Sequence, residues 1–538
     1  MSKLIPRFLV SAARRALLAV AAVVLAGAGA HVAQAQKTAL VIGLDISDAV
    51  TLDPARLIAY SPPLSLKAAY DTLVTMDPGD YINVRPNLAT SWQRTPDGKG
   101  WRFKLREGVK FASGNPMTAD DVKYSFDRIL NIRDQPREYI SHVERVSVVD
   151  PYTVDIILSN PSLPLLTIIA APAFSIVDRK VVAEHGGNAG ANAKSDDKAT
   201  PWLNSNSAGT GPYTIVRWEQ NVSIQLQRNP HYWRGVPGYE RVVILHMADG
   251  GSQLLALKRG DIDVAFNLVP EQVASAQTDP NIAIQSETSL DAIYLALTHS
   301  AEFSPALAKK EARQAFAYSI DYDAIIRDLM AGAAVRPVNF IPVGENGSTD
   351  QLTREIGFRQ DLERSRRLLK EAGYPNGFSF ELSYANAVIA GISYQSLAQK
   401  IQADAARVGI KVDLKPMAQT NLRTQFRVGK STAVLTFKNP PAADPLLEAA
   451  ATVERVATRL HWDPPKDLKD LVYRAAGEPD LAKQAALWRE YQAQMTDVAN
   501  FIVLIQPIYR VGVRKTTADF QLTGAGWMAD LYKARPAK

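Results

Sequence analysis

The apolar run Ala433 to Phe437 ends on Lys438 and Asn439, and the chain then passes through Pro440, Pro441, two alanines and Asp444-Pro445. A cation and an amide just beyond the carboxyl end of a buried strand are placed to hold a ligand, and the ammonium suits a carboxylate, phosphate or sugar acid. The other reading is that Lys438 only snorkels to water. Elsewhere the chemistry is thinner. VGKST at 428–432 resembles the tail of a phosphate loop, but Thr424 stands where the first glycine belongs. Ser207-Ala208-Gly209 lacks the leading glycine of a nucleophile elbow, because position 205 is Ser205. The histidines (His31, His142, His185, His231, His246, His299 and His461) never stand at i, i+4, so a zinc hydrolase has little support. Asp120-Asp121 and Asp196-Asp197 fall at a helix start and in a polar loop, where capping and solvation explain them. Cysteine is absent, which excludes thiol catalysis, thiolate metal sites and a lipid-bearing cysteine. Nothing in the chain demands an enzyme, a metal or a cofactor.

The elements that must position such residues are legible from periodicity. In GKGWRFKLREGVKF, Trp101, Phe103 and Leu105 share one face and Arg102, Lys104 and Arg106 the other, a half-buried strand. Thr118 and Asp121 cap a helix whose stripe is Val122, Phe126 and Ile129. VERVSVVDPYTVDIIL reads as a hairpin turning at Asp150-Pro151. The segment 185–208 reads as a polar surface loop. From about 355 to 437 helices and strands alternate, with Gly373 and Gly409 as helix stops, which predicts an α/β lobe with much parallel sheet. LAKQAALWREYQAQMTDVAN follows as an amphipathic helix and FIVLIQPIYRVGV as a buried strand. No repeat of solenoid or propeller period is visible.

The 538 residues exceed one ordinary core, and 46% hydrophobic with 22% charged residues is a globular balance. Residues 1–35 differ: Lys3, Arg7, Arg14 and Arg15 with no acid, an uncharged run Ala16 to Ala30, then Ala33-Gln34-Ala35. That is the pattern of a cleavable secretory signal peptide, by the Sec or twin-arginine route. Its removal lowers the formal charge of +6 to +2, and no basic cluster interleaves with aromatics, so a nucleic-acid partner is not expected. A soluble periplasmic protein, monomeric and not a lipoprotein, is the expectation.

The stretch YDTLVTMDPGDYINVRPNLATSWQRTPDGKGWRFKLREGVKFASGNPMTADDVKYSFDRI at 70–129 resembles the signature region of family 5 extracellular solute-binding proteins, the dipeptide, oligopeptide and nickel binding components of ABC importers. GTGPY at 209–213, NPHYW at 229–233, LKRGDIDVAFNL at 257–268, EARQAFAYSIDYDAII at 311–326 and RSRRLLKEAGYPNGFSFEL at 365–382 agree, in family order. The resemblance implies an α/β, periplasmic-binding-protein-like type II fold. Two lobes would be joined by a hinge of two crossovers, near Leu290 to Leu297 and Val503 to Arg510, with an additional α+β subdomain. The implied division is 36–67 for the first part of lobe I, 68–160 for the subdomain, 161–292 for the rest of lobe I, 293–505 for lobe II and 506–538 returning to lobe I. A peptide or other small solute would be held in the cleft and delivered to membrane permease subunits; a hydrolase or chaperone on the same scaffold is the rival.

The ligand-lining residues implied are Tyr60, Tyr139, Tyr294, Tyr384, Lys438, Asn439 and Gln506, with each tyrosine alternatively plain core. In peptide-binding members the loop after the strand supplies an aspartate three residues before an Asp-Pro, and it pairs with the ligand's amine. Here that position is Pro441, no acid occupies 438–443, and Lys438 replaces an aromatic residue. An unpaired ammonium loses a charge-assisted bond of about 2 kcal/mol. The departure therefore points toward an opine-like or acidic solute rather than a free-amine peptide. Nickel is not supported by so few histidines.

Overall fold

Alternating apolar residues build a small sheet, and uninterrupted apolar runs form the central strands of a large one, as half-buried and fully buried strands should. The computed structural model describes residues 38–57, 59–440, 442–525 and 528–538; the expected leader at 1–35 and Pro441 lie outside the described residues. The first run becomes β1 (Ala39–Leu44). Helix α1 (Pro62–Ala69) opens on two prolines, whose fixed φ suits a first turn. A four-stranded antiparallel sheet follows in the order β2 (Ala89–Arg94), β3 (Gly100–Leu105), β5 (Thr153–Leu158), β4 (Val143–Asp150). Over it lies α2 (Ala119–Ile132), where the Thr118 amide donates to Asp121 at 2.8 Å and Val122, Phe126 and Ile129 are buried.

One side chain of α2 does more than fill space. Arg128 is 1% exposed, yet its guanidinium donates to Asp53 at 2.7 and 2.6 Å and to Asp197 at 2.7 and 2.8 Å. Two forked pairs satisfy the buried cation and pull three distant segments together. This corrects the reading of Asp196-Asp197 as merely solvated, because the charge of Arg128 requires a second buried carboxylate. The surrounding polar segment is likewise more than a loop: it holds short helices at Ala193–Asp196 and Thr200–Leu203, and His185 stacks on Trp202 at 4.2 Å.

Besides short two-stranded pairs, the large sheet contains β6 (Tyr213–Glu219), β7 (Ser223–Arg228), β8 (Arg241–His246), β9 (Val264–Ala265), β10 (Ile282–Thr288), β11 (Ala292–Leu297), β12 (Ala334–Val335), β13 (Ser379–Ala385), β14 (Lys411–Met417), β15 (Ala433–Lys438) and β16 (Phe501–Arg514). With β1 they form one twelve-stranded arrangement ordered β14-β13-β15-β11-β16-β9-β1-β8-β7-β6, with β10 and β12 also on β16. Strand β13 runs parallel to both β14 and β15. The crossovers carry α3 (Tyr394–Ala406) and α4 (Gln419–Arg427). Gly429, at φ 70°, turns the chain from α4 toward β15. VGKST thus joins a helix to a strand, the reverse of the strand–loop–helix order that cradles phosphate.

Strand β16 belongs to both lobes. Residues 501–505 pair with β11, 506–507 with β12 and 508–514 with β10. At the changeover stands Pro507, which has no N–H to offer. The Gln506 side chain supplies the bonds instead: Nε2 donates to the Ser289 and Val343 carbonyls at 2.7 and 3.0 Å, and Oε1 accepts from the Val343 amide at 2.7 Å. Gly524 permits a close approach here, since a Cβ on it would lie 1.8 Å from the Thr288 carbonyl oxygen. Separate apolar clusters fill the second lobe, the small-sheet subdomain and the first lobe.

Replacing Arg128 with Met leaves Asp53 and Asp197 buried with the more distant Arg56 guanidinium, at 3.8 and 3.5 Å, in place of two forked pairs and is expected to cost about 3–5 kcal/mol in chemical denaturation, with Arg128→Lys recovering little. A loss under 1 kcal/mol would show that the pair is not structural.

Candidate ligand-binding site

Between the lobes lies a cavity of about 200 Å³ with walls from both. Asp48, Tyr60, Gln135 and Tyr139 contribute from one side, and Tyr394, Arg423, Thr436, Phe437 and Asn439 from the other. Asp48 fixes the loop that carries Tyr60 by accepting the Tyr60 amide at 2.6 Å and the Ser61 amide at 3.2 Å. Tyr139 ends a short helix, Gln135–Tyr139, and its hydroxyl accepts from Gln135. On α4, Leu422 and Phe426 face the core, which leaves Arg423 exposed with no partner among the described residues. Tyr394, the first residue of α3, is fully buried, and its hydroxyl has no hydrogen-bond partner among the described residues.

Behind this wall sits Asp291, 2% exposed, in the link between β10 and β11. It accepts from the Asn439 amide at 2.6 Å and from the Tyr509 hydroxyl at 2.6 Å, and Tyr509 accepts from Tyr60 at 2.7 Å. Burial raises its carboxyl to about 6, against the two bonds that lower it. Burial also raises Asp444 to about 6; this residue caps α5 (Pro445–Ala451) and accepts from Thr167 at 2.6 Å.

Of the residues expected at the site, Tyr60, Tyr139 and Asn439 stand together on the cavity wall. The other four do not. Tyr294 is core, edge-on to Phe340 at 4.6 Å, because it sits mid-strand in a fully buried β11. Tyr384 is 3% exposed in the second-lobe core, and its neighbour Ala385 takes the wall position. Gln506 is spent on the hinge. Lys438 is absent from the cavity wall and turns inward with 20% of its side chain exposed: its ammonium pairs with Glu448 and lies 4.8 Å over the Phe340 ring. Burial and Arg455 lower its pKa well below the usual lysine value, while Glu345 opposes them. Burial also holds Glu345 well above the carboxylate range. The cation that suggested an acidic ligand is therefore already matched inside the protein.

Some of what was missed had a signal. Asp444-Pro445 announces a helix start, which puts Glu448 in its first turn beside the end of β15. An acid directly before the six apolar residues of β11, as in Ser289-Leu290-Asp291, marks a buried carboxylate. Nothing local singled out Arg423 or Tyr394. Among the described residues no cluster of His, Asp and Glu is spaced for a metal ion.

The family model for bacterial extracellular solute-binding proteins, family 5 Middle, matches residues 83–446. The chain is 28% identical over 495 residues to a probable D,D-dipeptide-binding periplasmic protein of Escherichia coli K12, covering 90% of this chain and 91% of that one. It is 26% identical to di/tripeptide-binding protein 2 of Pseudomonas aeruginosa UCBPP-PA14, covering 95% and 97%. The ABC transporter-associated periplasmic binding protein DppA from Helicobacter pylori, solved with the peptide STSA, superposes with a TM-score of 0.77 at 24% identity over 94% of this chain and 99% of that one. Type II periplasmic binding proteins thus share this fold.

Lys438→Ala strands Glu448 in the interior, so unfolding free energy should fall by roughly 3 kcal/mol, and Lys438→Met with Glu448→Leu should regain more than half. An Ala variant of undiminished stability would return Lys438 to the list of ligand-facing residues.

Proposed function

The chain belongs to the bacterial extracellular solute-binding proteins of family 5, and from that premise we propose that it is the substrate-binding component of an ABC importer, taking a peptide or related small organic solute into the inter-lobe cavity. One observation carries the reading: both lobes line a single cavity, and the chain crosses between them in β16 and in the β10–β11 link. A solute touching both walls favours the closed population, which is how binding becomes a signal to a permease. The family consists of binding proteins, and capture without turnover is the activity proposed.

Peptides are favoured over an acidic solute. Two relatives are named as peptide-binding proteins, and the lysine that argued for an anion is paired with Glu448. Tyr60, Tyr139, Tyr394, Arg423 and Asn439 are the proposed contacts, with Arg423 meeting a carboxylate. The protein is proposed to be a periplasmic monomer released from its leader, working with inner-membrane permease subunits. Relatives carry periplasmic names, and no described helix is long and apolar enough to cross a membrane. The proposed division at 292/293 and 505/506 agrees with the separate cores on either side, although the partner along β16 passes to the first lobe only after Pro507.

A dipeptide at about 100 times its Kd should stabilise the protein by about 2.7 kcal/mol in a thermal-shift titration and be recovered unchanged. Hydrolysis of the peptide would overturn the receptor reading. Arg423→Ala should raise the Kd about tenfold without loss of stability, as for one charge-assisted bond of roughly 1.4 kcal/mol; an unchanged Kd removes Arg423 from the site.

A further inference from the structure

We propose that Asp291 is a positioning residue that turns the acceptor sides of Tyr60 and Asn439 toward the cleft, so that this wall recognises a ligand's ammonium group. The inference rests on the peptide reading above and assigns the amine end of the ligand to one subsite.

The geometry is a set of donors all committed in one direction. Tyr60 gives its only proton to Tyr509 at 2.7 Å, Tyr509 gives its own to Asp291 at 2.6 Å, and Asn439 gives an amide proton to the other carboxylate oxygen at 2.6 Å. Tyr60 and Asn439 both line the cavity. What they can offer it are the lone pairs of the Tyr60 hydroxyl oxygen and the Asn439 carbonyl oxygen, with the second Asn439 N–H the one proton left over. Tyr394 adds a second, independent observation. It is fully buried on the same cavity, and its hydroxyl has no partner among the described residues. Three acceptors match the three protons of an ammonium group.

Charge agrees with geometry. Among the described residues Asp291 is bonded to neutral donors, so its ionised form carries a negative charge that none of them compensates. The segment 438–443 holds no acid of its own, which leaves Asp291 as the buried carboxylate next to Asn439. The titratable groups facing it are Tyr60, Tyr394 and Tyr509, and burial holds all three phenols well above their ordinary value. Asp48 faces Tyr60 from the loop that it anchors. Between pH 5 and 7.5 Asp291 is thus the member of the chain that changes state, with its carboxyl at about 6. Ionised, it holds the donors inward. Protonated, it returns a proton along the chain and loses its attraction for a cation. Affinity for an ammonium ligand should therefore rise as pH increases through about 6.

The test compares an equimolar pool of unmodified dipeptides with the same pool N-acetylated, by titration at pH 7.5 and pH 5, on the wild type, Asp291→Asn and Tyr509→Phe. The wild type should bind the unmodified pool at least tenfold more tightly at pH 7.5 and lose most of that preference at pH 5. In either variant that folds, the preference should be small and flat with pH. Equal binding of both pools by the wild type, or a preference that ignores pH and survives in the variants, overturns the inference and leaves the receptor reading standing. Failure of the wild type to bind either pool overturns the peptide reading and the inference with it.

Discussion

One extended strand has to serve two lobes, and most of the molecule is arranged around that constraint. Along β16 the pairing partner changes from β11 to β10 within two residues. A buried strand that changes partners must leave some backbone groups without a ladder neighbour. Pro507 removes one donor outright, and the Gln506 amide bonds to Ser289 and Val343 across the gap. The Ser289 amide and hydroxyl both return to the Pro507 carbonyl, at 3.0 and 2.7 Å. Every polar group of the changeover is thereby turned inward, and this is why a glutamine beside the cleft is unavailable to a ligand.

The same economy explains how charge is distributed. Buried ions are tolerated where a fixed partner exists, as with Arg128 between two aspartates or Lys438 against Glu448. Asp291 breaks the pattern, since its partners are neutral, and it stands where the crossover link, β16 and the loop after β15 meet. A carboxylate in that position costs stability unless a cation arrives. The lysine at the end of β15 is closed off by its own glutamate, so the electrostatic character of the cavity comes from Asp48, Arg423 and the field of Asp291.

Much of the fold was legible because its elements are periodic. The stripe of α2, the alternation in β3 and the helix–strand rhythm of residues 355–437 each follow from burying one face. The site was legible only in part. Tyr60, Tyr139 and Asn439 lie in loops or at element ends, which is where an open sheet exposes side chains to a cleft. Tyr294 and Tyr384 stand within strands covered on both sides, and a tyrosine there reads the same in sequence whichever face it takes. Lys438 was weighed as a terminal cation without the next helix, whose Glu448 it pairs with. Asp197 was likewise read without its partner, which lies 69 residues earlier in the chain.

How the lobes hold each other bears on why a solute is needed. The bonds across the cleft are few. Arg455 reaches Glu138, but those side chains are 42% and 57% exposed, so the pair contributes under about 1 kcal/mol. Thr167 donates to Asp444 and Asn439 to Asp291, and Ala442 and Ala443 pack into the subdomain core. Two hydrogen bonds to buried carboxylates, about 1.5–3 kcal/mol each, and two small side chains hold the lobes across the cleft. A ligand at about 100 times its Kd adds about 2.7 kcal/mol to the state that binds it, the same order as those contacts. A solute that touches both walls therefore acts on a balance whose own contacts across the cleft are of similar size, and its preference for one arrangement of the lobes decides the outcome.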